Sequence, residues 1–295
     1  MARRSRILIV HNPIAGRRRR GLLRAVMREL ESRGCTVSER VTGAAGDAAV
    51  LARAASPTEF DLIAVAGGDG TINEVVNGLE NSSLPLGLIP VGTANVLATE
   101  IGLRADARRV AATLADGPLE RIYPGRLNGR RFVLMAGIGL DAEAVASVSL
   151  SLKRLWGHGA YLWSAFRCWV RNRAPDLHVV LDGQATRSRW VIVTKSRHYA
   201  GRFVFVPDAC LGDPRFQVCL LDGTGRWALL RYGIGLLLGR LAQCRDVRIV
   251  PATTVTIVEP KGVPVQLDGE AAGTTPLEIS LDRDGMMLAT PRGGS

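Results

Sequence analysis

The stretch from Leu62 to Glu74 constrains this chain most, because an apolar run ends abruptly in glycines and a helix-like segment follows at once. A strand that passes through a glycine-rich turn into a helix suits phosphate binding. Backbone N–H groups can approach an anion where no Cβ intervenes, and the helix N-terminus adds partial positive charge. The string is neither a Walker A motif nor a G-x-G-x-x-G fingerprint. Its carboxylate, Asp69, suggests phosphoryl transfer.

A purely structural interpretation of the same stretch stays open. Thr71 and Glu74 have the spacing of a capping box, and Gly68 to Gly70 could form a tight turn. The loop by itself does not separate these two interpretations.

Composition indicates a folded chain with room for two domains. It has 295 residues, of which 47% are hydrophobic. The most apolar segment, Trp227 to Leu241, is short and interrupted by Arg231 and Arg240, so no membrane span or signal peptide is predicted. The five scattered cysteines, at positions 35, 168, 210, 219 and 244, favour reduced thiols in the cytoplasm over a zinc site.

The formal charge of +11 indicates an anionic partner. Much of it lies in Arg3, Arg4, Arg6 and the run Arg17 to Arg20. An anionic membrane surface is favoured over nucleic acid, because no nucleic-acid motif is present and only 5% of residues are aromatic. A bias toward arginine without functional meaning is the alternative.

The first third of the sequence alternates strands and helices. This pattern predicts a doubly wound α/β domain with a mostly parallel sheet, whose ligands bind at the carboxyl ends of the strands. The predicted strands are 7–10, 37–41, 62–66 and 86–89, and the predicted helices are 21–32, 47–55 (capped by Asp47) and 72–79. Polar, Gly-rich loops follow three of these strands, at 12–16, 67–71 and 92–95.

The pattern changes near Gly125, after which most segments are typical of strands, the first of them over 131–136. We expect an antiparallel, β-sandwich-like domain over 125–281 with helical insertions near 149–171 and 226–244. The first domain then comprises 1–124, joined by the C-terminal tail at about 282–295. Edge strands of the second domain offer a route to a homodimer. The first insertion combines aromatic and basic residues, which fits either a membrane-facing helix or the domain core.

The ordered motifs resemble the soluble lipid kinases that include bacterial diacylglycerol kinases, sphingosine kinases and ceramide kinases. The resemblance rests on 12–16 (NPIAG), 67–74 (GGDGTINE), 90–95 (PVGTAN), 137–142 (GIGLDA) and 267–270 (LDGE). The GGDGT string also occurs in NAD kinases and resembles phosphofructokinases, whereas the full set is more specific to lipid kinases.

This resemblance implies an ATP-dependent kinase acting on a membrane lipid, with the nucleotide in a cleft between the domains. The implied nucleotide-binding residues are Asn12, Pro13, Ile14, Ala15, Gly16, Thr42, Gly67, Gly68, Asp69, Gly70, Thr71, Asn73, Glu74, Gly92, Thr93 and Asn95. Asp141, in the GIGLDA motif, is the implied substrate-binding residue.

The chemistry requires an acid that accepts the proton of the lipid hydroxyl, and Mg²⁺ held by oxygen ligands. Glu270 matches the family's proposed base, and Asp69 then organises phosphate or Mg²⁺; the reverse assignment stays open. Of three Asp-Gly pairs that follow apolar strands, at 182, 222 and 268, only the last is followed by an acid. The other two are expected to be hairpin turns.

A structural Mg²⁺ site is implied by the segment from Pro207 to Asp213. Its ligands would be the Asp213 side chain and the carbonyls of Cys210 and Arg215. Pro214 and Arg215 depart from the family pattern, which leaves the survival of this site open.

Three function classes remain at this point. The first is a peripheral kinase at the inner face of the membrane, with diacylglycerol as the first substrate expected and ceramide, a sphingoid base or phosphatidylglycerol as others. The second is a soluble-metabolite kinase of the NAD-kinase type. The third is a non-catalytic lipid-binding module, which the intact Asp69, Thr93 and Glu270 disfavour.

Overall fold

The computed structural model describes residues 3–15, 19–139, 175–199 and 203–292. Gly16, Asp141 and the helix expected over 149–171 lie outside them. The described residues form two compact units, one made of those before 125 and after 282, and the other of those from 125 to 282.

Six α-helices lie in the described residues. They are α1 (Arg20–Ser32), α2 (Asp47–Arg53), α3 (Asp69–Gly78), α4 (Val96–Glu100), α5 (Ala107–Asp116) and α6 (Gly225–Leu237).

The strands of the described residues are numbered in chain order. They are β1 (Arg6–His11), β2 (Thr36–Val41), β3 (Leu62–Gly67), β4 (Leu86–Pro90), β5 (Leu119–Ile122), β6 (Gly125–Leu127), β7 (Arg130–Phe132), β8 (Met135–Ile138), β9 (Leu177–Leu181), β10 (Gln184–Ser188), β11 (Trp190–Thr194), β12 (His198–Tyr199), β13 (Phe203–Val204), β14 (Phe216–Leu221), β15 (Val247–Ala252), β16 (Thr254–Glu259), β17 (Pro264–Leu267), β18 (Glu270–Thr274), β19 (Leu277–Leu281) and β20 (Met286–Ala289).

The first unit is built on a six-stranded sheet of order β2-β1-β3-β4-β20-β5. The strands from β2 to β4 are parallel, and β20 pairs parallel with β4 and antiparallel with β5. The central strands β1 and β3 are fully buried along the apolar runs 7–10 and 62–66, as expected for a sheet covered on both faces. The last strand of the chain therefore belongs to the first unit.

The second unit is an antiparallel β-sandwich, as the strand pattern predicted. Its two six-stranded sheets have the orders β10-β9-β16-β19-β6-β7 and β15-β14-β11-β8-β17-β18. Alternate apolar side chains from both sheets form one buried core that includes Phe132, Val193, Phe216 and Ile279. The predicted fold class is confirmed for both units.

One predicted helix start and one predicted helix cap are wrong, although α2 begins at Asp47 as predicted. Helix α3 begins at Asp69 rather than Ile72, so Thr71 and Glu74 do not form a capping box. The Glu74 carboxylate instead accepts the Ala48 N–H, at 3.2 Å, and so ties α3 to the start of α2. Helix α2 is capped by Gly46, and the Asp47 carboxylate accepts the N–H groups of Gly43 and Ala44 in the preceding loop.

Two predictions for the second unit are also wrong. The strand expected over 131–136 is split at Val133–Leu134 into β7 and β8, which belong to different sheets. Asp222-Gly223 is not a hairpin turn, because the chain continues into α6. Gly223 is required there by packing, since a Cβ would lie 2.3 Å from the Tyr232 hydroxyl.

Candidate functional site

The parallel sheet of the first unit has its switch point between β1 and β3. From this pair the chain runs outward to β2 on one side and to β4 on the other. Ligands of open α/β sheets bind at the carboxyl edge of such a switch point, where the loops diverge and leave a crevice. Asn12 follows β1 and Gly67 ends β3, so two predicted nucleotide-binding segments lie there.

Backbone hydrogen bonds beyond the strand ends bring four loops side by side. Asn12 N–H donates to Ala66 O at 2.9 Å, and Thr42 N–H donates to His11 O at 2.9 Å. Gly92 N–H donates to Gly67 O at 3.2 Å. The segments after β1, β2, β3 and β4 therefore form one continuous edge.

Asn12 fixes the loop after β1 against α3. Its amide nitrogen donates to Thr71 Oγ1 at 3.0 Å, and its Oδ1 accepts the N–H groups of Ile14 and Ala15. The Ile14 side chain is exposed. The four predicted nucleotide-binding residues from Asn12 to Ala15 thus form a turn, held by the Asn12 side chain and by a backbone hydrogen bond from Ala15 N–H to Asn12 O.

The connection between β3 and α3 is shorter than the loop expected from the sequence. Gly68 alone separates the strand from the helix, and Asp69 is already in the first turn. A Cβ on Gly67 would lie 2.6 Å from Thr71 Cβ, and one on Gly92 would lie 2.6 Å from Gly68 Cα. Glycine is therefore required at Gly67 by the Thr71 side chain and at Gly92 by the backbone of Gly68. The N-cap residue of α3 is Gly68, so no side chain caps the first N–H groups of this helix.

Asp69 is held between two helices. It begins α3, and its Oδ1 accepts the Leu97 N–H of α4 at 3.4 Å. Burial raises the pKa of Asp69 above its usual range, although backbone N–H groups of Val96 and Leu97 oppose that effect. A carboxyl with a raised pKa at a sheet edge is suited to accepting a proton or to binding a cation.

The loop after β4 contains a buried acceptor without a protein partner. Asn95 has a left-handed φ of 49°, and its amide nitrogen donates to Gly92 O at 2.7 Å and to Pro90 O at 3.3 Å. Its Oδ1 is buried and accepts no hydrogen bond in the described structure. The neighbouring Thr93 is exposed. The arrangement leaves one hydrogen-bond acceptor of Asn95 unsatisfied within the described residues.

Two other predicted nucleotide-binding residues take part in packing within the unit. Asn73 is buried in α3 and its backbone and side-chain oxygens accept from the Asn77 amide. Glu74 contacts α2, as described above.

In the second unit, Glu270 follows a two-residue hairpin between β17 and β18. Asp268 and Gly269 have φ values of 48° and 84°, the conformation of a type I′ turn. The Asp268 carboxylate accepts three consecutive N–H groups, from Val133, Leu134 and Met135, at 2.8–2.9 Å. These bonds anchor the hairpin and occupy the amides at which the predicted strand is split.

Glu270 itself is exposed and pairs with Arg130 at 2.6 Å. Arg130 follows another two-residue turn, Asn128-Gly129, which also has positive φ angles. Arg130 and Asp268 were not among the predicted site residues. The sequence did contain a signal for both, because Asn-Gly and Asp-Gly pairs predict tight turns, and Arg130 follows one such pair while Asp268 begins the other.

The residues implied as Mg²⁺ ligands in the second unit contact donors of the protein itself. The Cys210 carbonyl accepts the Asp213 N–H at 3.3 Å. The Asp213 carboxylate pairs with the Arg215 guanidinium at 3.2 Å. Lys195 Nζ donates to the Asp213 carbonyl and, at 2.9 Å, to the Arg215 carbonyl. These atoms do not form an open ligand set for a metal ion.

Lys195 was missed by the sequence reasoning. It directly follows the buried strand β11 and is itself fully buried. Burial lowers the pKa of Lys195 to about 8, while Asp213 and Cys210 raise it. The sequence did contain a signal for a special role of Lys195. Lysine occurs only at 153, 195 and 261, whereas the chain has 38 Lys and Arg residues in all.

Comparisons with known proteins agree with this two-unit architecture and define its class. Residues 6–127 match the diacylglycerol kinase catalytic domain, and residues 135–289 match the YegS C-terminal NAD kinase beta sandwich-like domain. The matches meet near the boundary between the two structural units.

Relatives match over nearly the whole length. A diacylglycerol kinase of Bacillus subtilis is 33% identical over 280 residues, covering 93% of this chain and 92% of the relative. A diacylglycerol kinase of Staphylococcus carnosus is 28% identical over 297 residues, covering 98% of this chain and 96% of the relative. A crystal structure from Bacillus anthracis superposes with a TM-score of 0.83 at 25% identity, covering 98% of this chain and 96% of that one. It is described as a candidate diacylglycerol kinase. The chain belongs to the diacylglycerol kinase family.

Proposed function

We propose that this protein transfers the γ-phosphate of ATP to the free hydroxyl of a membrane diacylglycerol and so forms phosphatidic acid. The observation that carries this proposal is the switch-point edge of the first unit, where a glycine junction, a helix N-terminus and Asp69 lie together. Family membership and the names of the relatives supply the substrate class. They do not favour the NAD-kinase-type or phosphatidylglycerol alternatives.

The first unit is proposed to bind the nucleotide. The backbone N–H groups of Gly68, Gly70 and Thr71 at the start of α3 are proposed to bind the phosphates. Asn12, Gly67 and Gly92 shape the edge around them, and Thr93 and Asn95 contact the nucleotide nearby. The second unit is proposed to bind the lipid, with Asp141 as a contact to it.

The residues at this edge fit Mg²⁺ with a small number of protein ligands. Mg²⁺ in kinases is commonly bound by one or two carboxylates together with substrate phosphates. Asp69 offers one such carboxylate, and the described residues contain no cluster of three metal-ligating side chains. When bound, the ion would neutralise charge on the phosphate oxygens.

Glu270 is proposed as the general base. The lipid hydroxyl gives its proton to the carboxylate as its oxygen attacks the γ-phosphorus, and the bond to the ADP oxygen breaks. The carboxylate is exposed, and its ion-pair partner Arg130 belongs to the same unit. Asp69, with its raised pKa, is the other candidate for this role.

The protein is proposed to work at the inner face of the membrane as a peripheral enzyme in the cytoplasm. No helix of the described residues is long and apolar enough to cross a bilayer. The net charge of +11 favours an anionic surface.

A panel of lipids with radiolabelled ATP and Mg²⁺ tests the function. We expect label in phosphatidic acid with diacylglycerol, and far less label with ceramide, sphingosine or phosphatidylglycerol. Asp69→Asn should abolish transfer, whereas Asp106→Asn, which retains a cap for α5, should not. Equal labelling of all four lipids, or labelling that survives Asp69→Asn, would refute the proposal.

A further inference from the structure

Helix α6 presents large apolar side chains outward. Trp227 is 81% exposed, and Leu230, Ile234, Leu237 and Leu238 are also exposed in the described part of the chain. Their spacing of three and four residues places them on one face over three turns. A helix normally directs such a face inward.

The inward face of α6 is made of smaller or polar residues. Ala228, Tyr232 and Gly235 lie there, and the Tyr232 hydroxyl contacts Asp246 and Gly223 N–H. Ala228 and Tyr232 are buried. The helix is therefore already anchored, and its outer apolar face has no role in the core of the second unit.

The charges around this face are basic. Helix α6 has no acidic residue in its sequence and contains the exposed Arg231, and the exposed Arg240 and Arg245 follow it. The Arg231 guanidinium lies over the Tyr232 ring, at 5.6 Å, and pairs with Asp246. It does not interrupt the apolar face.

We propose that the outer face of α6 docks the protein onto an anionic lipid bilayer. A helix with Trp and Leu on one face and flanking arginines is typical of interfacial binding, in which the apolar side chains enter the headgroup boundary. The occupant is a lipid surface because the charges match it and because the proposed substrate, on which this inference depends, lies in that surface.

Sedimentation with vesicles of phosphatidylcholine, with and without phosphatidylglycerol, tests this docking. The variant Trp227→Ser/Leu237→Ser should bind the anionic vesicles at least about tenfold more weakly than the parent. Val258→Ser is the matched control, since Val258 is 48% exposed, as are Leu230 and Ile234, but lies on β16. Parent and variants should phosphorylate a short-chain diacylglycerol dispersed as monomers equally well.

Two results would overturn the docking proposal. One is unchanged vesicle binding by the double variant or by a second variant, Leu230→Ser/Leu238→Ser. The other is a parent that sediments as a dimer while the double variant is monomeric, which would make α6 an interface between copies. Activity on the dispersed lipid separates these failures from failure of the proposed kinase function.

A second, independent observation concerns Lys195. In the loop before β14, each atom implied as a Mg²⁺ ligand accepts a hydrogen bond or an ion pair from the protein, as described above. Lys195 Nζ reaches this loop from the end of β11, the strand that pairs with β14. Its side chain is fully buried.

The geometry assigns to the Lys195 ammonium the place of a structural cation in the second unit. The ammonium donates to the carbonyls of Asp213 and Arg215, the second of which is an implied metal ligand, and the Arg215 guanidinium pairs with the Asp213 carboxylate. The fold of this unit is therefore independent of divalent metal.

Thermal unfolding without nucleotide, in EDTA and in Mg²⁺, tests this assignment. The Tm of the parent should be the same in both. Lys195→Met should lower Tm by about 4 °C or more, because the carbonyls of Asp213 and Arg215 lose the donor that the buried Lys195 supplies. Lys261→Met, at an exposed lysine of the same unit, should leave it unchanged.

The assignment fails under either of two results. One is a parent stabilised by Mg²⁺ through a response that Asp213→Asn removes. The other is a Lys195→Met protein as stable as Lys261→Met.

Discussion

Two hairpins of the second unit are built alike but differ in the residue that follows the turn. Asp182-Gly183 and Asp268-Gly269 both adopt left-handed φ angles between antiparallel strands. In each, the aspartate carboxylate accepts backbone N–H groups of another segment, from Thr253 and Thr254 in one case and from residues 133–135 in the other. Gln184 follows the first turn and Glu270 the second.

This comparison separates the residues that hold the hairpins in place from the residue available for catalysis. Because both aspartates hold their turns in place, neither needs a catalytic role to explain its presence. The acid that distinguishes the second hairpin is Glu270. The catalytic proposal for this unit therefore rests on one side chain, and the comparison can be tested by changing the two hairpins in parallel.

The largest expected effect is on catalysis. Glu270→Gln should lower kcat for diacylglycerol phosphorylation about 10²–10⁴-fold, because the amide cannot accept the hydroxyl proton. Its Tm should stay close to that of the parent, since Glu270 is exposed. Steady-state kinetics measures the loss of kcat, and thermal unfolding measures Tm. Full turnover by this variant would assign the base role elsewhere, with Asp69 as the next candidate.

The next effect is on stability. Asp268→Ala should lower the free energy of unfolding by about 2–4 kcal/mol, because three backbone N–H groups lose a charged acceptor. We also expect lower activity, since the hairpin that positions Glu270 loses its anchor. Denaturant unfolding measures the change. A stable variant with full activity would mean that the three hydrogen bonds do not hold the turn.

The matching change in the other hairpin should be milder. Asp182→Ala should cost about 1–2 kcal/mol, because this carboxylate is more exposed and solvent can replace it as an acceptor. Activity should be unaffected. An activity loss equal to that of Asp268→Ala would show that the two hairpins do not differ in function.

The smallest effect concerns pH. Burial opposes ionisation of Asp182, but hydrogen bonds from Thr253 and Thr254 outweigh it, so the pKa of this carboxyl is lowered. A lowered pKa in the folded state stabilises the protein above the unfolded-state pKa, and this contribution is lost as pH falls through the folded-state pKa. Unfolding of the parent and of Asp182→Asn should therefore converge at acid pH, with a difference near neutrality below about 1 kcal/mol. A difference in unfolding free energy between the two proteins that grows on acidification would contradict a lowered pKa of Asp182.

The sequence predicted those parts of the fold that local patterns determine. The buried runs 7–10 and 62–66 predicted parallel strands because both of their faces are apolar. The Asp182-Gly183 pair predicted a hairpin because type I′ turns need positive φ at both central residues. The gathering of loops at one sheet edge followed from strand direction alone.

The errors occurred where a distant partner overrides a local signal. Asp47 and Glu74 have the spacing of helix caps, but their carboxylates bind Gly43 and Ala48 across a loop and between helices. The bend between β7 and β8 depends on Asp268, more than 130 residues later. Lys195 likewise has its partners in the loop before β14. No periodicity in the sequence encodes such pairings.

One competition assay tests the central claim most directly. The purified protein is given radiolabelled ATP, Mg²⁺, NAD and anionic vesicles containing diacylglycerol in the same mixture, and the labelled products are separated. The account predicts that label appears in phosphatidic acid and not in NADP. Label in NADP, or ATP turnover without labelled lipid, would contradict it.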